Sequence, residues 1–188
     1  MTSHPQTIEV LDTLRKNSHV GKHRHFSASE RTNLLHIWFG IPGVVISVVL
    51  GSTFFVLITK EIPIEAKWAG AVAALVAAVL SAIQTFFNFQ KASESHRTVA
   101  NQYLSIQREC ERLLASYCDG LATVEAVSGK LVELNARYEE VTKAAEGLRT
   151  KKRDYDYALR LLQELEAGER ERKALLYRTD SGKGRGAT

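Results

Sequence analysis

The sequence predicts an all-α fold: a two-helix transmembrane hairpin, then long cytosolic helices joined by a heptad seam as a helical hairpin or coiled coil. Three observations carry this. Residues 34–59 and 68–89 contain no Lys, Arg, Asp or Glu. The stretch between them is short and charged. From residue 99 onward, apolar side chains recur at alternating spacings of four and three, the period of helices packed side by side.

Residues 1–27 form a basic N-terminal segment assigned to the cytosol. Ile8, Leu11 and Leu14 are spaced for a short amphipathic helix, and a disordered arm is the equal alternative. His19, His23 and His25 follow among Lys22 and Arg24. A metal site is disfavoured because no fourth ligand lies nearby in sequence. A basic lead-in facing anionic headgroups is the preferred reading. Ser27 and Glu30 have the spacing of a capping box, which places the start of the first membrane helix near residue 28.

The hairpin is assigned to residues 28–90. A hydrocarbon core about 30 Å thick needs about 20 apolar residues in helical form, and both uncharged runs exceed that. Residues 35–59 hold fifteen Val, Ile, Leu and Phe, worth about −5 to −9 kcal/mol on insertion before polar penalties. Residues 68–89 hold nine, with seven alanines, so this run inserts more weakly and as the partner of the first. Trp38 and Phe39 suit the interface. His36, Gly40, Gly43, Ser47 and Gly51 share one helical face, and Pro42 beside them is positioned to kink the helix. Packing within the hairpin is the default use of this stripe; lining a pore is the sharper one.

Residues 60–67 are too few for a domain, so the two helices are antiparallel neighbours. Basic residues concentrate outside the hairpin rather than in this turn, which predicts both termini on the cytoplasmic side of the membrane. The second helix is two-faced. Small and polar residues from Gly70 to Asn88, among them Ala77, Ser81 and Gln84, oppose Val72, Leu75, Val76, Val79, Ile83, Phe86 and Phe87. Polar groups in hydrocarbon are costly unless they face protein or water. A cluster of His36, Gln84 and Asn88 is therefore expected, either as interhelical hydrogen bonding or as a wet constriction in an oligomer.

Residues 91–177 are read as a cytosolic helical region continuing without a stop from Phe89. The seam runs through Val99, Tyr103, Ile106, Cys110, Leu113 and Tyr117, then Val124, Val127, Leu131, Leu134, Tyr138, Val141, Ala145 and Leu148. Asp119-Gly120 interrupts it, and a glycine there favours a fold-back into an αα-hairpin over one continuous rod. Residues 149–154 hold four basic side chains, read as solvated. A last amphipathic helix has Tyr155, Ala158, Leu159, Leu162 and Leu165 on one face, and residues 178–188 are read as a disordered tail.

Cys110 and Cys118 lack metal or redox spacing and suit small buried positions in a reducing compartment. The net charge of +4 is too modest to indicate specific nucleic-acid binding. No phosphate-binding Gly loop or nucleophile elbow occurs, so no catalytic residue, metal or cofactor is assigned and the chain is read as a non-enzyme.

The exit of the second helix, Phe89-Gln90-Lys91-Ala92 followed by His96, Ala100, Tyr103, Leu104 and Arg108, resembles the SLATT family of bacteria (SMODS and SLOG-associating two-transmembrane-helix effector domains). Arg137-Tyr138 to Ala145, then Tyr155 and Ala158, is similar to that family's C-terminal segment, although Glu146-Gly147 stands where a proline is frequent. The likeness extends from about Arg24 to Leu162. It implies an effector of an anti-phage conflict system that oligomerises and perforates the inner membrane when a separate sensor protein or nucleotide-signal synthase triggers it. The lipid bilayer and further copies of the chain would be its partners. His36, Ser47, Ser81, Gln84 and Asn88 are the candidate pore-lining or interhelical polar face; His96, Tyr103 and Tyr138 are candidates for cytosolic packing or sensing. The rival reading is a non-conducting, membrane-anchored coiled-coil scaffold that recruits a partner.

Overall fold

A computed structural model describes residues 5–57 and 63–183, with side chains to residue 53 and from 63 to 172. Among the described residues there are five helices and no strand: α1 Gln6–Leu57, α2 Ile64–Phe87, α3 Phe89–Cys118, α4 Val124–Glu146 and α5 Lys152–Lys183. They form two compact units. One comprises residues up to Ala28 and from His96 onward; the other spans Ser29–Ser95.

The first unit packs the start of α1 with α3, α4 and α5. Its core is the seam plus one addition. Val99, Tyr103, Ile106, Cys110, Val127, Leu134 and Val141 are buried together with Ile8, Leu11 and Leu14 of α1. Neither α3 nor α4 has enough apolar surface to close alone, and the N-terminal triad supplies the third wall. That burial is why the N-terminus is helical from Gln6.

It also overturns the expected helix start near residue 28. Ser27 does not cap a helix, because α1 runs through it; its hydroxyl donates instead to Asp154 Oδ1 at 2.9 Å. Asp154 is fully buried at the start of α5, where Oδ2 accepts the Lys151 backbone N–H at 2.9 Å. A carboxylate in the first turn thus satisfies one orphan donor. The four basic residues of 149–153 stay exposed around it.

The fold-back at Gly120 occurs. The chain turns at φ +71°, a conformation glycine adopts without penalty. Leu121 N–H reaches Ser116 O at 2.9 Å and Gly120 N–H reaches Tyr117 O at 3.1 Å, the paired bonds of a Schellman ending. Thr123 then caps α4 by accepting from Ala126 N–H at 3.3 Å. Cys110 is buried as expected and its thiol is pushed up to about 11 by burial. Cys118 is exposed, contrary to expectation, because it sits in the last turn of α3, off the seam.

The basic stretch expected to face lipid headgroups, with Lys22 and Arg24, is instead helical and half-buried in the first unit, Arg24 bonding Thr150. Arg15 is buried, bonding Asp12 at 2.9 Å and Glu169 at 2.7 Å, while Lys16 reaches Asp12 at 3.1 Å and Glu166 at 2.8 Å. These pairs join α5 to α1, and α5 also buries Asp154 and Ala158 and half-buries Leu159, Leu162 and Leu165, while Tyr155 of the expected face is exposed. The expected tail from residue 178 is helical to Lys183, and its remainder lies outside the described residues.

The second unit holds the latter part of α1, α2 and the start of α3. Its two long helices pass the length and hydropathy requirements of a membrane span. Their apolar side chains point outward: Trp38, Val44, Val48, Trp68, Val72, Leu75 and Phe86 are all exposed. An apolar surface of that extent is untenable in water and ordinary in lipid. Pro42 lies inside α1 without ending it. Residues 60–62 of the expected 60–67 turn lie outside the described residues; Pro63 is the N-cap of α2, and residues 64–67 already form its first turn.

Leu134→Ala should destabilise the purified full chain by about 3 kcal/mol, the cost of a cavity at a fully enclosed site. Leu121→Ala, on a side chain left 81% exposed, should change stability by less than about 0.5 kcal/mol. Urea titrations in detergent, followed by circular dichroism, would compare the two.

Candidate functional site

Two polar constellations stand out, one in each unit. In the membrane-type unit, the small stripe of α1 brings the helices together. Gly43 meets the Leu80 side chain, with a Cβ at Gly43 coming to 3.8 Å. A Cβ at Gly40 would lie 2.7 Å from Gln84 Nε2, so glycine is what lets the amide reach across. Gln84 Nε2 lies 3.2 Å from His36 Nδ1, the amide donating to the ring nitrogen. His36 and Gln84, expected as a cluster from sequence, are therefore partners. A groove of about 330 Å³ continues along the same face, lined by Gly40, Gly43, Ser47, Ala77, Ser81 and Gln84 among others.

Ser47 and Ser81 both face this groove. The Ser47 hydroxyl donates to Gly43 O at 2.8 Å, and Ser52, Thr53 and Thr85 bond back four residues in the same way. In hydrocarbon this matters, since each hydroxyl then carries its own partner down the helix.

Asn88 does not join His36 and Gln84. It sits in the left-handed region, φ 42° and ψ 51°, between α2 and α3. Its backbone N–H closes α2 on Gln84 O at 3.1 Å. Its Oδ1 accepts from Lys91 N–H at 3.3 Å and so caps α3. One residue ends one helix and starts the next, and α3 then runs unbroken over Phe89–Cys118, as expected. Asn tolerates this conformation better than any other residue with a side chain of its size. Around the break, Phe39 stacks on Phe89 at 5.8 Å and Phe87 on Phe89 at 5.4 Å. Just beyond it, Ser29 Oγ donates to Ser93 O at 2.9 Å and Ser93 Oγ donates to Ser29 O at 3.0 Å, which holds α1 and α3 in close approach.

In the first unit, His96, Tyr103 and Tyr138 also come together, around residues the sequence reading passed over. His96 Nδ1 lies 3.0 Å from His25 Nδ1, both rings buried. The His25 and Tyr103 rings lie 6.0 Å apart, and Tyr103 packs on Tyr138 at 5.6 Å. Tyr103 OH lies 3.2 Å from Thr142 Oγ1. Gly21 gives the Tyr103 ring its seat, since a Cβ there would fall 3.0 Å from it. Arg24 Nε donates to Thr150 Oγ1 one turn away. The only sequence signal for His25 was its place in a histidine-rich segment. Its partner lies 71 positions on. No group of three or more His, Cys, Asp or Glu converges to hold a metal ion among the described residues.

Comparison with known sequences gives one family: the sequence model of SMODS and SLOG-associating 2TM effector domain family 4 matches residues 22–171. Comparison with curated proteins and with solved structures finds no match. The matched span contains both constellations and leaves out the Ile8, Leu11 and Leu14 wall.

Tyr103→Phe should cost about 1 kcal/mol, one neutral hydrogen bond, whereas Tyr103→Ala should cost about 3–5 kcal/mol by leaving Gly21 and Tyr138 facing a void. Thermal melts of the full chain in detergent would separate the hydroxyl's contribution from the ring's.

Proposed function

Since the chain belongs to the SMODS and SLOG-associating 2TM effector family, we propose that it acts at a bacterial inner membrane as a conflict-system effector that oligomerises and opens a water path there. The helices lie antiparallel with both termini cytoplasmic, and a separate sensor protein or nucleotide-signal synthase supplies the trigger. The function is physical rather than catalytic.

The observation that carries the reading is the groove on the hairpin's small face. Gly40 and Gly43 are consumed by packing α1 on α2, but Ser47 and Ser81 remain exposed beside it. A Cβ at Gly51 or Gly70 would meet nothing within 4 Å. Small residues left over after a hairpin has closed permit the close approach of another helix, the usual basis of association in lipid. In that assembly His36, Ser47, Ser81 and Gln84 line the path, and Asn88 governs the junction at its mouth. The His36–Gln84 bond is the resting arrangement: each polar group is satisfied within one hairpin, and opening exchanges that partner for water.

That same bond favours a second reading. A scaffold that only anchors a coiled-coil unit and recruits a partner also satisfies its polar side chains internally. Such a scaffold has no use for polarity there and would tolerate apolar replacements.

Tight induction in bacteria, with membrane potential followed by a fluorescent dye, should show rapid depolarisation by the parent. The Gln84→Leu variant and the Gln84→Leu/Asn88→Leu variant should insert to equal levels and leave the potential within about twofold of uninduced cells. Depolarisation by all three would retain the pore and remove these side chains from it. A chain that never depolarises, with or without a co-expressed sensor, would favour the scaffold.

A further inference from the structure

We infer that the contact between α1 and α3 in the four-helix unit is a proton-responsive latch, closed by the His25–His96 pair when at least one ring is neutral and opened when both rings are protonated. The inference is independent of whether the membrane helices conduct ions.

The two Nδ1 atoms lie 3.0 Å apart, and the rings are 3% and 5% exposed. A bond between two ring nitrogens needs a hydrogen on one and a lone pair on the other. With both protonated, two N–H groups and two positive charges face each other in a buried site, where repulsion is screened poorly. The surroundings add to the imbalance. Arg24 on α1 lies close and repels, while the facing acid is Asp154 of α5, already engaged by Ser27 and the Lys151 N–H. From α3, Tyr103 presents its ring; its hydroxyl faces Thr142 of α4.

The pair does not stand alone. His19 and His23 lie one turn apart on the same helix, ring centroids 4.5 Å from each other. Lys22 and Arg15 on α1 oppose a charge on His19, and Glu111 of α3 favours it; Lys22 and His19 oppose a charge on His23. Burial, then His96 and Arg24, hold His25 down to about 4; burial, then Lys22, hold His23 down to about 4; burial, then Lys22 and Arg15, lower His19. In the separated helices these rings return to their ordinary value near 6.5. Below that value the separated form binds more protons than the packed one. The packing is therefore at full strength above about pH 6.5 and weakens as pH falls toward 4.

Amide hydrogen exchange of the full chain in detergent, read peptide by peptide at pH 7.5 and 5.0 and corrected for the intrinsic rate, tests this. Protection over residues 18–28 and 96–104 should fall at least tenfold at pH 5.0, while that over 127–141 should fall less than threefold. The His25→Phe/His96→Phe variant replaces both partners with apolar rings and should lose less than half as much protection as the parent. Equal protection of the parent at both pH values would overturn the latch. So would a loss as large in residues 127–141, or a variant as acid-sensitive as the parent. Should the variant fail to fold, the parent's own profile decides: a midpoint between pH 4 and 6.5 supports the latch, and a midpoint elsewhere sinks it.

Discussion

Hydrocarbon leaves a backbone no partner but itself, and that constraint governs the membrane-type unit. Over residues 34–53 and 64–87 the chain is helical because only a helix pairs its own peptide groups within one segment. The same demand extends to side chains. Ser47, Ser52, Thr53 and Thr85 return their hydroxyl protons to carbonyls four residues back, and Gln84 finds His36 across the hairpin. Among the described residues the backbone departs from this at Asn88, at the end of the apolar run, where the residue's own amide and backbone close it.

The four-helix unit answers to a different solvent. There water competes for every polar group, so apolar burial dominates and ion pairs contribute modestly. The seam of α3 and α4 buries only two sides of its core, and Ile8, Leu11 and Leu14 close the third. α5 differs in kind. It is joined through Arg15–Glu169, Lys16–Glu166 and the buried Asp154, beside the buried Ala158 and half-buried Leu159, Leu161, Leu162 and Leu165. The charged part of that attachment is the part of this unit most sensitive to ionic strength.

Much of this was legible in the sequence. The membrane helices announced themselves by length and lack of charge, and the seam by its period, which fixed Val99, Ile106, Val127 and Leu134 as core. Gly120 marked the fold-back because a positive φ is a local property of one residue. The N-terminal helix was ambiguous because Ile8, Leu11 and Leu14 make a stripe too short to settle a helix without the seam it covers. Ser27 and Glu30 misled for a related reason: a capping box marks a start only where the preceding residues have nothing to bury. Among the candidate site residues, His36 and Gln84 were found through facing stripes, but Asn88 was assigned by its polarity when its conformational tolerance decides its use. The His25–His96 pair was invisible, since nothing local in either segment announces the other.

Placement of the two cysteines has a practical consequence. Cys110 is enclosed in the core, with its thiol pushed up to about 11, and Cys118 lies open at the end of α3. Thiolate and access together set sulfur reactivity, so the natural chain carries a single addressable handle without any substitution. A maleimide that cannot cross lipid, added to sealed vesicles and then to lysed ones, would report from that handle which side of the bilayer the four-helix unit occupies.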